Sequence, residues 1–198
     1  MTHGSAAAGL TLVGVGPGDP QLLTVAAVRA IEEASVVAYP VAREGANGMA
    51  ATIAAPWIGE QQRRLPLLFP MVSEAEPRIA AWHAAAGALA AEVAAGNTVV
   101  LLCEGDASLF ASCSYVLLTM AERHPTCPLR VIPGITSVAA AAAAGAWPLA
   151  LQGEGVLIRP TPESAAELES LLDWAAGGSA TLAAPGVQHQ TTLALLKL

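Results

Sequence analysis

Apolar residues along the chain fall into short blocks separated by glycine- and proline-rich breaks, and the blocks alternate between two periods. Leu10-Thr-Leu-Val-Gly-Val15 is a continuous apolar stretch that breaks into Gly16-Pro-Gly-Asp-Pro20, the pattern of a buried strand entering a turn. Leu22, Leu23, Val25, Ala26, Val28, Ile31 and Ala34 then recur at helical spacing. Thr24 or Asp19 is placed to cap that helix, and Pro20 suits a first-turn position. Ser35-Val-Val-Ala-Tyr39 reads as a second strand, stopped by Pro40. Residues 41–70 read as irregular, with Gly45, Gly48, Pro56, Gly59 and Pro66, and are expected to wrap the sheet edge. A helix from about Glu76 to Ala95 stops at Gly96-Asn97. Thr98-Val-Val-Leu-Leu-Cys103 reads as a central strand, Glu104-Gly-Asp106 as its loop, and about Phe110 to Arg123 as the next helix.

His124-Pro-Thr-Cys-Pro128 reads as a domain linker, after which strand and helix alternate again. Leu129-Arg-Val-Ile132 is a strand that turns at Pro133-Gly134 into an alanine-rich helix. Gly155-Val-Leu-Ile-Arg159 is a strand, Glu163 to Ala176 a helix, and Ala180 to Ala183 and Thr191 to Leu198 are strands. The pattern predicts an α/β chain of two domains, residues 1–124 and 129–198, with a mixed sheet in each. The second would have only about half the usual domain size, and the chain stops on apolar Leu198, so a truncated product is expected.

Composition narrows the class. Of 198 residues, 54% are hydrophobic and 13% charged, which excludes disorder and a coiled coil. A mean hydropathy of +0.53 raises the question of a membrane. The most apolar stretch, Ile135 to Leu151, holds Thr136, Ser137, Gly145 and Pro148 and is too short and weakly apolar to span one. Met1 to Gly9 has no basic region or leucine-rich core, so no signal peptide is read and a cytoplasmic location is expected. The net charge of −7, with no basic stripe, argues against nucleic acid. Cys103, Cys113 and Cys127 lack Cys-x-x-Cys spacing, and the four histidines are isolated, so no metal site is read.

Three loops offer chemistry. In Gly14-Val-Gly-Pro-Gly-Asp19, glycines at alternate positions let the backbone approach a ligand. A dinucleotide fingerprint would need glycine where Asp19 stands and an acid where the next strand ends in Tyr39-Pro40. Glu104-Gly-Asp106 follows a buried strand, and Asp106 either accepts from a hydroxylated ligand or caps the next helix. In Ile132-Pro-Gly-Ile-Thr-Ser137, Thr136 and Ser137 either meet a ligand or cap their own helix.

Taken together, the order and spacing of these loops resemble the tetrapyrrole methylase family, the S-adenosylmethionine enzymes of sirohaem and cobalamin synthesis. The first is similar to the family's opening Gly-x-Gly-Pro-Gly-Asp signature. The second resembles its central Gly-Asp loop, with Glu104 in place of the commoner Gly or Leu and Ala107 where proline is usual. The third resembles its Pro-Gly-x-(Ser/Thr)-(Ser/Ala) turn. Tyr39-Pro40, Leu68-Phe-Pro-Met71 with Trp82, and Glu104 through Tyr115 are similar to the subgroup that methylates precorrin-2 at C(20). The likeness covers residues 10 to about 160 well and 161–198 loosely.

The resemblance implies a homodimer with its active site in a cleft between two α/β domains. It implies S-adenosylmethionine as methyl donor, held by Pro17, Glu104, Gly105, Asp106, Leu109, Thr136 and Ser137, with Leu196 on the adenine side. The substrate would be a tetrapyrrole, precorrin-2 or cobalt-factor II. The catalytic residue stays unassigned among Asp106, Glu104 and Tyr115. Arg43, Arg63, Arg64 and Arg78 are candidates for the substrate's carboxylates. A methylase of another ring position or of diphthine, or a non-catalytic remnant that still binds ligand or dimerises, are the alternatives.

Overall fold

The computed structural model describes residues 7–178 and 191–196. The chain divides into two compact units, Met1–Ser137 and Val138–Leu198. In the first unit, β1 (Gly9–Gly14), β2 (Val36–Val41), β3 (Arg63–Leu68), β4 (Thr98–Cys103) and β5 (Leu129–Ile132) form one sheet in the order β3-β2-β4-β1-β5. Every ladder among the described strands is parallel, where the sequence suggested mixed sheets. Parallel neighbours need crossovers, and the helices supply them: α1 (Val25–Glu33), α2 (Met49–Ala54), α3 (Ala75–Ala94) and α4 (Ser112–Arg123).

Alternation along the strands sorts the side chains into two cores. Leu10, Leu12, Val36, Ala38, Val99 and Leu101 face one way and pack on α3 and α4 through Leu89, Val93, Val116 and Met120. Val13, Val37, Val100 and Leu102 face the other way, onto Ala27, Ile31 and Ile53 of α1 and α2. Burial on both faces is why β1 and β4 read as unbroken apolar runs.

Four differences from the sequence reading have local causes. Both candidate caps act, on different elements: the Asp19 side chain accepts from the Gln21 N–H of a 3-10 turn, Pro20–Leu22, and Thr24 accepts from the Ala27 N–H of α1. Pro40 does not stop β2, because β2 leaves β4 after Ala38 and continues only against β3. The region 41–70 is not all irregular: it contains α2 and β3, whose Pro66 is tolerated on a sheet edge. Finally, the strand 129–132, read as the start of the second domain, pairs with β1 and closes the first sheet.

The second unit contains the alanine-rich α5 (Ser137–Ala144, beginning at the last residue of the first unit), β6 (Gly155–Pro160), α6 (Ala165–Asp173) and β7 (Thr191–Leu196). β6 and β7 pair in parallel, and Ser164 caps α6 by accepting from the Glu167 N–H. The expected strand 180–183 and the last two residues of the expected strand 191–198 lie outside the described residues.

Leu101 and Leu89 are fully buried at the centre of the larger core, so Leu101→Ala or Leu89→Ala is expected to cost about 2–5 kcal/mol. Val25→Ala, at a residue 67% exposed, should stay within about 0.5 kcal/mol of the parent; urea unfolding measures all three.

Candidate functional site

β1 and β4 are neighbours whose following helices leave toward opposite faces, α1 to one and α4 to the other. That divergence is a topological switch point, the place where open α/β sheets leave a crevice beyond their strand ends. The three loops singled out in the sequence meet there.

Their junction is made of backbone. Gly16 and Gly105 exchange hydrogen bonds, Gly16 N–H to the Gly105 carbonyl at 3.1 Å and Gly105 N–H to the Gly16 carbonyl at 2.8 Å. Both have positive φ, +78° and +61°, which favours glycine. Gly134 enters from the third loop, and a β-carbon there would stand 2.0 Å from the Gly105 carbonyl oxygen. A β-carbon on Gly14 would stand 2.6 Å from the Gly134 nitrogen.

Asp106 fastens this junction. Its Oδ2 accepts from the Gly134 N–H at 2.8 Å, and its Oδ1 accepts from the Ser108 N–H at 2.9 Å and from the Ser108 hydroxyl. Burial alone would raise its pKa, but the hydrogen bonds from the Ser108 hydroxyl, the Gly134 N–H and the Ser108 N–H outweigh it and hold the carboxyl below its ordinary value. Asp106 does not cap the next helix, since α4 begins at Ser112 after Ala111; its carboxylate ties one loop to another.

Beside the junction lies a pocket of about 400 Å³, where β2 has separated from β4. Pro40 and Val41 line it from β2, Phe69 and Met71 from beyond β3, and Cys103 and Glu104 from the end of β4. Gly48 lets the loop before α2 fold onto β2, since a β-carbon there would meet the Pro40 carbonyl oxygen at 2.5 Å. Phe110 also lines the pocket with φ of +51°, a conformation that L residues seldom adopt and that collects at functional sites. Burial raises the Glu104 pKa. Among the described residues no hydrogen bond or ion pair engages its carboxylate.

The remaining expected site residues separate by position. Pro17 is half-buried in the turn between Gly16 and Gly18, the Leu109 N–H reaches the Asp106 carbonyl at 3.4 Å, and Thr136 and Ser137 follow the Gly134 turn into α5. Leu196 belongs to the second unit, where its carbonyl accepts from the Thr161 N–H at 2.8 Å. Tyr115 does not line the pocket; it stacks on Trp82 with ring centroids 4.0 Å apart.

The arginines divide too. Arg63 and Arg64 stand at the N-terminal start of β3, roughly 20 Å of strand from the pocket end, and Arg63 is ion-paired with Glu92. The expectation that these two meet a ligand with the loops is therefore corrected. Arg43 and Arg78 follow the C-terminal ends of β2 and β3, on the pocket's side of the sheet. Sequence reasoning passed over Met49 and Gly48; the only signal was a glycine in an otherwise unremarkable loop. Among the described residues no group of three or more His, Cys, Asp or Glu is placed to hold a metal ion, and no helix is long and apolar enough to cross a membrane.

The family model described as Tetrapyrrole (Corrin/Porphyrin) Methylases matches residues 9–197. The chain is 33% identical over 165 residues to the cobalt-precorrin-2 C(20)-methyltransferase of Salmonella typhimurium, covering 82% of this chain and 68% of that protein. It is 37% identical over 169 residues to the precorrin-2 C(20)-methyltransferase of a Sinorhizobium species, covering 79% and 65%. It thus spans about two thirds of the length of these relatives. The uroporphyrin-III C-methyl transferase of Thermus thermophilus, solved in complex with S-adenosyl homocysteine, superposes with a TM-score of 0.52 at 26% identity, covering 76% of this chain and 54% of that one.

Gly134→Ala drives a β-carbon into backbone that cannot move without breaking the Gly16–Gly105 bridge, and is expected to cost about 1–3 kcal/mol. Gly87→Ala, in α3 with open space around it, should instead stabilise by up to about 1 kcal/mol, both read from thermal unfolding. Because the folded pKa of Asp106 is lowered, its contribution is fully present above its unfolded value, near 3.9, and fades as pH falls through the lower folded value. Asp106→Asn should therefore melt below the parent at pH 7, and the gap should close below about pH 4.

Proposed function

Because the chain belongs to the tetrapyrrole methylase family, we propose that it transfers a methyl group from S-adenosylmethionine to C(20) of precorrin-2 or cobalt-factor II, in cobalamin (corrin) biosynthesis. The observation that carries this reading is the backbone junction of Gly16, Gly105 and Gly134 beside an open pocket at the β1–β4 switch point.

The junction fits the donor. Gly18, with φ of +149°, has nothing within 4 Å of where a β-carbon would stand, and Gly105 has only the Ile135 carbonyl at 4.0 Å, so bare backbone is open to a ligand. Pro17, Glu104, Gly105, Asp106, Leu109, Thr136 and Ser137 would hold it from the first unit. Bound there, S-adenosylmethionine supplies an electrophilic methyl on a sulfonium, and transfer needs alignment more than a covalent enzyme intermediate. Asp106 keeps the loops in register, and a carboxyl held below its ordinary pKa is a weak proton acceptor. Tyr115 lies outside the pocket lining, with one ring face stacked on Trp82. Arg43 and Arg78 stay as candidates for the carboxylates of the tetrapyrrole.

A homodimer and a cytoplasmic location go with this reading. Tyr115 and Leu118 on α4, 50% and 66% exposed, offer apolar surface to a second copy. Leu118→Glu is then expected to convert a dimer to monomers in light scattering.

Calorimetric titration of the folded chain with S-adenosylhomocysteine should give micromolar binding, and incubation with S-adenosylmethionine and precorrin-2 should add one methyl group by mass spectrometry. A folded chain that binds no S-adenosylhomocysteine overturns the proposal.

A further inference from the structure

Among the described residues, Glu104 is the one charged side chain lining the pocket. Its position is fixed by its neighbour Gly105, whose N–H and carbonyl are both bonded to Gly16. Around it the lining is apolar and soft: Met49, Phe69, Met71, Phe110 and Cys103. Glu104 is itself exposed at this lining, so water screens part of its charge and a pairing there has the strength of a partly exposed ion pair.

The Cys113 thiol is pushed well up, first by its hydrogen bond with Cys103, then by burial and the Cys103 charge, and also by the charge of Glu104. Desolvation without a cation raises the Glu104 carboxyl itself. An anionic ligand group would worsen this imbalance and a cationic one would relieve it. Thioether and aromatic surfaces also accept a cation well.

Within the proposed reaction the positive charge that changes is the sulfonium. We propose that the Glu104 carboxylate is the counter-ion of the methyl donor's sulfonium, so that the site prefers the charged donor to its neutral thioether product. This rests on the methyltransferase reading. In the transfer the S–CH3 bond breaks as the C–CH3 bond forms, and the bonding pair stays on sulfur, which becomes neutral. The positive charge passes to the methylated ring, which then loses a proton. The attraction to Glu104 ends with that charge, and the product exchanges for fresh donor. Charge is already dispersing in the transition state, so the pair serves donor selection and product release, not the barrier.

The test compares S-adenosylmethionine and S-adenosylhomocysteine, which share adenosine, ammonium and carboxylate and differ in the methyl and the charge. Dissociation constants are measured by calorimetry for the parent chain, Glu104→Gln and Glu104→Asp, with circular dichroism to verify folding. The parent should favour the donor by about fivefold or more, in the range of a partly exposed ion pair. Glu104→Gln should bring the ratio close to one, and Glu104→Asp should keep part of the preference. Equal weakening of both ligands by Glu104→Gln would assign the carboxylate to the shared ammonium and overturn the sulfonium assignment. An unchanged ratio overturns it as well. A folded parent that binds neither ligand overturns the methyltransferase reading and this inference with it, whereas binding of both with no charge preference overturns the inference alone.

Discussion

The backbones of Gly14, Gly105 and Gly134 lie so close that neither Gly14 nor Gly134 could carry a β-carbon, and the first unit's functional end depends on that contact. Three segments separated by about ninety and thirty residues are brought backbone to backbone, with Gly16 and Gly105 bonded in both directions. Side chains have rotamers and tolerate substitution; a backbone junction has neither freedom. It therefore fixes where the Glu104 and Asp106 side chains begin, to within the play of a hydrogen bond. A site that must hold two reactants in line gains more from this rigidity than from any one contact.

The sheet order makes the junction possible. With β4 inserted between β1 and β2, the loops leaving β1 and β4 start side by side and then part toward opposite faces. The same order explains the pocket: β2 follows β4 for only three residue pairs and then keeps company with β3, which opens space beyond Ala38. Pro40 stands in that gap, where the β4 ladder makes no demand on the N–H it lacks.

Legibility in the sequence followed the range of the interaction. Elements held by local periodicity, such as β1, β4, α3 and α4, were readable because their apolar spacing and caps are short-range signals. The three loops were readable as glycine-rich turns at strand ends, and in combination as a family likeness. What escaped depended on distant partners. β3 has a proline and two arginines in six residues and is a strand only because β2 lies beside it. Leu129–Ile132 was assigned to the wrong unit because Pro125 and Pro128 look like a linker, whereas pairing with β1 decides the matter. The tie that Asp106 makes between loops went unread because its partner Gly134 is twenty-eight residues away.

Charge gives the last step. The chain carries a net charge of −7, and the substrates of this family carry several carboxylates, so attraction between the two must be local. In the first unit Arg63 is spent on Glu92 at the far end of β3, while Arg43 and Arg78 lie on the pocket's side. Among the described residues the pocket is lined by a carboxylate and by no cation. In the proposed reaction a polyanionic acceptor would be turned away from the place proposed for the sulfonium, and each reactant would meet the polarity opposite to its own. Sorting donor from acceptor by sign needs only one well-placed acid and a few arginines outside the pocket.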